Sequence, residues 1–137
     1  MIVLDASVVI AFLEADDALH DQAVALLLSA ITDGEALGIN ALTLGEVLVG
    51  AVATSTENAV LQTILGDLMI QVLETENTPS RQEWALALAR VRHRYRLTMP
   101  DAIVLTTAMS VPNGRVASLD GKLLSAAREA GLFYCGR

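Results

Sequence analysis

The sequence predicts an α/β domain: a parallel sheet covered on both faces by helices. Three observations lead there. Short, uniformly apolar runs alternate with longer helix-forming stretches, the chain is 137 residues long, and 53% of it is hydrophobic. Strands buried on both faces read as near-continuous apolar runs, and strands that alternate with helices build parallel crossover units. This length suits one domain over 1–137 with a sizeable core, which excludes disorder.

Each element has its own justification along the chain. Ile2 to Leu4 is a short apolar run ending at Asp5, which suits a buried strand whose carboxyl end meets a loop. Ser7 to Leu13 then reads as a helix. Asp16, Asp17 and Asp21 precede Gln22 to Ile31, whose Ala and Leu content favours helix and whose acidic start complements the helix dipole. Asp33-Gly34 closes it. Ala36 to Asn40 is a second strand, Thr43 to about Ala53 an apolar-rich helix, and Thr56 to about Leu65 another. Met69 to Leu73 is a third strand, and Ser80 to about Arg94 a long helix with apolar residues at helical spacing. A helix from Met99 to about Met109 follows, then a fourth strand at Val116 to Ser118. Gly121 to Ala130 is the last helix, with Gly131 as its C-cap before the apolar stretch Leu132 to Cys135. Pro79, Pro100 and Pro112 fall where segments begin or end, and there is no internal repeat or linker.

Charge narrows the function. Nine Lys and Arg against 16 Asp and Glu give a formal net charge of -7, which excludes nucleic-acid affinity through bulk positive charge. Charged residues interrupt every apolar stretch before the roughly 18 to 20 residues a membrane helix needs. Met1 to Asp5 lacks a basic segment and meets an acid at once, so no signal peptide and a cytoplasmic location are expected. The one cysteine, Cys135, permits neither an internal disulfide nor a thiolate cluster, and reads as an inert buried thiol. Any metal is therefore expected on oxygen ligands.

Ligands of open α/β sheets bind beyond the carboxyl ends of the strands, which directs attention to the acids there. Asp5 follows the first strand directly, and a carboxylate at the end of a buried strand is costly unless paired, hydrogen-bonded or metal-bound. Asp120 follows the fourth strand, where it either serves chemistry or N-caps the last helix. Glu46 and Asp101 lie in Thr43-Leu44-Gly45-Glu46 and Thr98-Met99-Pro100-Asp101. Both spell the capping-box pattern, as Ser80-Arg81-Gln82-Glu83 does, and such a box needs no ligand.

Taken together, the acids fall in the order strand end, helix start, helix start, strand end. This pattern resembles the PIN-domain ribonucleases, most closely the toxin components of VapBC-type toxin–antitoxin pairs. The matching stretches are Ile2-Val3-Leu4-Asp5-Ala6-Ser7, Thr43 to Val47 with Glu46, Pro100-Asp101-Ala102-Ile103, and Ser118-Leu119-Asp120. One departure is visible: Ser118 stands where the family usually has Thr, and a hydroxyl is retained. The resemblance implies a PIN-like three-layer α/β/α sandwich with a short parallel central sheet. It also implies an acidic pocket that binds one or two Mg2+ or Mn2+ ions and hydrolyses RNA phosphodiester bonds. Converging carboxylates without His or Cys partners repel one another, and hard divalent cations relieve that repulsion. By resemblance Asp5 and Asp101 are the principal metal ligands, Asp120 completes the site or holds a second ion, and Glu46 ligates directly or through water. Ser7 and Ser118 are expected to hydrogen-bond metal-bound water or the scissile phosphate, with Ser7 alternatively a simple N-cap. The resemblance further implies an RNA substrate, a VapB-type antitoxin, a homodimer, and arrest of translation and growth.

Arg90, Arg92, Arg94 and Arg96 crowd one place in an acidic chain. They contact RNA phosphate, meet a partner's acids, or complement a helix C-terminus and solvate a surface. Aromatic residues make up 4% of the chain, so base stacking is not the main mode of recognition. Phe12, Trp84 and Phe133 read as core or interface residues, and the separated His20 and His93 as surface residues. Gly34, Gly38 and Gly45 form no phosphate-binding loop, which disfavours nucleoside triphosphate chemistry. Two alternatives stand beside the nuclease: a catalytically silent PIN-like binding module, and a receiver-type signalling domain. The latter requires an Asp ending a central strand and a Lys near the last one. Here Met69 to Leu73 ends without Asp, and the chain's single lysine, Lys122, opens a helix.

Overall fold

A computed structural model describes residues 1–74 and 80–136; Pro79 lies outside the described residues. Strand β1 (Ile2–Leu4) leads into α1 (Ala6–Leu13) and α2 (His20–Thr32). Strand β2 (Leu37–Asn40) is followed by α3 (Ala41–Ala53), α4 (Glu57–Leu61) and a π-helical turn, Gln62–Asp67. Strand β3 (Gln71–Leu73) precedes α5 (Arg81–Tyr95) and α6 (Met99–Ser110), and β4 (Arg115–Ala117) precedes α7 (Gly121–Glu129). All pairings are parallel, in the order β3-β2-β1-β4. The expected α/β architecture is the observed one.

The pleat of β1 explains the layers. Successive side chains of a strand face opposite ways, so Ile2 and Leu4 join one core while Val3 joins the other. The first core packs α1, α2 and α3 against the sheet; the second packs α5, α6 and α7. All three β1 residues are fully or almost fully buried, each worth about 1.5–3 kcal/mol relative to exposure. Gly34 and Gly131 end α2 and α7 with φ of 73° and 75°, the left-handed conformation of a helix C-terminus. Each lets the following amide reach back, Glu35 to the Ala30 carbonyl and Leu132 to that of Ala127.

Several expectations need correction. The strands are not uniformly apolar, because β3 is an edge strand with Gln71 and Val72 exposed. Helix α3 starts two residues before Thr43, since Asn40 caps it by accepting from the Leu42 amide at 2.8 Å. The Thr43–Glu46 capping box therefore does not form, and the Thr43 hydroxyl is buried without a hydrogen-bond partner among the described residues. The Ser80 cap does form, accepting from the Glu83 amide at 3.1 Å. His20 is half-buried, its Nδ1 donating to the Ala11 carbonyl at 2.8 Å across the α1–α2 corner. Cys135 is exposed, because the terminal segment makes a single bridge from Phe133 to Val116 and then leaves the sheet. Phe12, Trp84 and Phe133 are half-buried at the margins of the two cores. No helix among the described residues is long and apolar enough to cross a membrane.

Candidate active site

Parallel register builds the site from β1 and β4. Leu4 pairs with Ala117, and the Asp5 amide donates to the Ala117 carbonyl at 3.0 Å, which sets Asp5 beside Ser118. Asp5 is 8% exposed. Its Oδ2 accepts from Ser7 Oγ at 2.6 Å and from Ser118 Oγ at 2.7 Å. Each serine is fixed in turn: Ser7 Oγ accepts from the Leu119 amide at 3.0 Å, and Ser118 Oγ from the Asp120 amide at 2.9 Å. Ser7 is not the N-cap of α1, whose N-cap position is Asp5. Both hydroxyls thus converge on one oxygen, and Oδ1 has no hydrogen bond among the described residues.

The other three acids stand at or near helix starts. Asp120 N-caps α7, its Oδ1 accepting from the Lys122 amide at 2.8 Å. Asp101 is half-buried in the first turn of α6, three residues after the N-cap Thr98. Glu46 lies in the second turn of α3 and reaches solvent. The positive ends of α1, α6 and α7 offset the charges of Asp5, Asp101 and Asp120.

Electrostatics tie the four together. Partial burial, then Asp5, then Asp101 push the Glu46 carboxyl above the ordinary glutamate value. For Asp101 burial is again the largest cause, followed by Asp120 and Asp5, with the Thr98 hydrogen bond and Lys122 pulling the other way. The acids form a field and not yet a cage: among the described residues no three His, Cys, Asp or Glu side chains converge tightly enough to enclose an ion. They also lie open. The best-defined cavity, about 370 Å³ between α2 and the C-terminal segment, is lined by Ser118 and Leu119 but by none of the four.

The arginines are separate from this cluster. Arg90, Arg92, Arg94 and Arg96 are all exposed on α5 and its C-cap, and none is ion-paired among the described residues, where Arg115 pairs with Glu35. Two positioning residues escape a reading of the sequence. Asn40 Nδ2 donates to Thr107 Oγ1 at 3.0 Å, joining the start of α3 to α6; an Asn ending a strand before Ala-Leu is the signal that marks such a cap. Thr107 carries no such signal.

A family model described as PIN domain matches residues 2–129. No curated protein matches the chain. PIN domains are generally metal-dependent nucleases, and the parallel sheet with acids at its carboxyl edge accords with that fold. The match spans nearly all of the chain, which belongs to the PIN domain family.

Proposed function

We propose that the chain is a cytoplasmic metal-dependent endoribonuclease, the toxin of a toxin–antitoxin pair that arrests translation and growth. The observation that carries the nuclease reading is the buried Asp5 carboxylate, held by two serine hydroxyls at the sheet edge and sharing one field with Glu46, Asp101 and Asp120. The toxin role, the VapB-type antitoxin and the homodimer rest on the motif resemblance.

The donor set fits a hard divalent cation, because it is all oxygen and its mutual repulsion is relieved by positive charge. Asp5, Asp101 and Asp120, with Glu46 directly or through water, would hold one or two Mg2+ or Mn2+ ions. Such ions, when bound, supply Lewis-acid polarisation and an activated water for in-line displacement at phosphorus. The chain's own residues do the positioning. Ser7 and Ser118 orient Asp5 through Oδ2, which leaves Oδ1 as the carboxylate oxygen not engaged by either hydroxyl. The Lys122 amide fixes Asp120.

The test is cleavage of total cellular RNA by purified protein with Mg2+ or Mn2+, with EDTA and Asp5→Ala as controls. Discrete fragments that vanish in both controls are expected. The competing reading is a silent binding module. A melting temperature that does not rise on Mg2+ or Mn2+ titration, together with no cleavage, would establish that competitor.

A further inference from the structure

The stretch 90–96 holds four of the nine positive residues of the chain, and folding divides it. Arg92, His93 and Arg96 line a hollow of about 540 Å³ together with Leu97 and Met99. Arg94 lines a different one with Tyr95, whose walls include Glu129 and Met109 at the far end of α6. Helix geometry explains the division: positions 92 and 96 are one turn apart, whereas 94 is rotated about 200° from 92. Among the described residues, no carboxylate lines the first hollow.

Two backbone features shape it. Arg92 Nε donates to the Leu97 carbonyl at 3.2 Å, which pins the side chain and leaves its terminal nitrogens for an anion. Arg96 has φ 55° and ψ 43°, and its amide closes on the Arg92 carbonyl as the C-cap of α5. Glycine would serve the fold better in this left-handed conformation. What arginine adds there is charge beside the Arg92 fork.

The hollow adjoins the acids without overlapping them. Met99 in its wall is two residues before Asp101 in the first turn of α6. None of Asp5, Glu46, Asp101 and Asp120 lines the hollow. An anion held here is therefore separate from one presented to the acids.

We infer that the hollow of Arg92, His93 and Arg96 binds a backbone phosphate of the RNA strand, away from the bond presented to the acids, and that Arg94 takes no part. The identity of the polymer rests on the nuclease reading above. The experiment is equilibrium binding of a short fluorescent single-stranded RNA in EDTA, between about 20 and 200 mM salt, with the slope of log K against log salt as readout. Arg92→Ala and Arg96→Gly are each expected to flatten that slope by about 0.7 for every phosphate no longer neutralised, and to weaken low-salt binding by roughly 3- to 10-fold. Arg92→Lys keeps the slope, and Arg94→Ala leaves slope and affinity unchanged. Arg96→Gly keeps Tm at or above wild type, which separates weakened binding from impaired folding.

Unchanged slopes in Arg92→Ala and Arg96→Gly, equal flattening in Arg94→Ala, or no RNA binding by the wild type at the lowest salt would each overturn the inference. Stronger displacement by poly-glutamate than by unlabelled RNA would assign the hollow to an acidic protein segment instead. Cleavage in Mg2+ is scored separately. No cleavage with intact slope differences overturns the nuclease reading alone, and cleavage with no slope differences overturns this inference alone.

Discussion

Ser118 Oγ donates to Asp5 Oδ2 at 2.7 Å across the parallel pairing of β4 with β1. The bond joins residues 113 apart in sequence, and the same serine oxygen accepts from the Asp120 amide. One hydroxyl therefore positions two of the four acids.

Removing that hydroxyl should affect stability and activity together. In Ser118→Ala the Asp5 carboxylate keeps only Ser7 as a hydroxyl partner, and a hydrogen bond to a charged group contributes about 1.5–3 kcal/mol. The Asp120 amide also loses its acceptor. We expect unfolding by urea to show a loss in that range, and metal-dependent cleavage to fall by about 10- to 100-fold, as for partners that orient metal ligands. Ser118→Thr keeps the hydroxyl and should retain both. Full activity in Ser118→Ala would mean that Asp5 is held well enough by Ser7 alone.

The raised Glu46 carboxyl makes a pH prediction of definite sign. Its folded value lies above the ordinary 4.5 of the unfolded chain, so the folded state binds the proton more tightly. Between those two values stability falls as pH rises; the full penalty is present above the folded value and absent below the unfolded one. Glu46→Gln removes the penalty. In EDTA at about pH 7.5 and low salt the variant should exceed wild type by up to about 0.5 kcal/mol, a figure already discounted for the solvent that screens Glu46. The difference should vanish near the acid end and shrink in high salt. A variant less stable than wild type at neutral pH would show that Glu46 is held by a favourable contact and not strained by its neighbours.

How far the sequence carries is seen at particular residues. Asp5 is legible because a carboxylate ending a run such as Ile2-Val3-Leu4 has an energetic problem that needs a partner. What that partner is stays hidden, because it depends on Leu4 pairing with Ala117, a register set by the whole sheet. For the same reason Ser7 and Ser118 stand out in the sequence while their bonds to Asp5 do not. Glu46 reads as part of a capping box because Thr43 matches the local pattern, yet Asn40 outcompetes Thr43 as the N-cap and moves the helix start back. The arginines are legible as a cluster but not as two hollows, since that division needs the place of α6 against α5. The apolar run Met69 to Leu73 does not reveal that β3 lies at the sheet edge among the described residues, with Val72 in its centre exposed.

Asn40 makes the last prediction, because it holds two site helices at once. It is 1% exposed; its Oδ1 caps α3 through the Leu42 amide at 2.8 Å, and its Nδ2 donates to Thr107 Oγ1 at 3.0 Å on α6. Helix α3 carries Glu46 and α6 carries Asp101, so this side chain sets the separation of two acids. Asn40→Ala loses a cap worth about 1 kcal/mol and a buried hydrogen bond of similar value, about 2 kcal/mol in all. Thr107 Oγ1 still donates to the Ile103 carbonyl at 2.6 Å, so no hydroxyl is left stranded. Asn40→Asp keeps the capping oxygen but loses the donor and adds a carboxylate beside the acidic edge. It should be less stable than wild type at neutral pH and recover part of the difference as pH falls and the new acid protonates. A double-mutant cycle with Thr107→Val separates the two functions, and a coupling of about 0.5–3 kcal/mol is expected for residues in direct contact. Cleavage should fall with that coupling and not with the cap. If Asn40→Ala lost stability while cleavage and its metal dependence stayed at the wild-type level, the spacing of Glu46 and Asp101 would be set elsewhere, by the packing of α3 on β2.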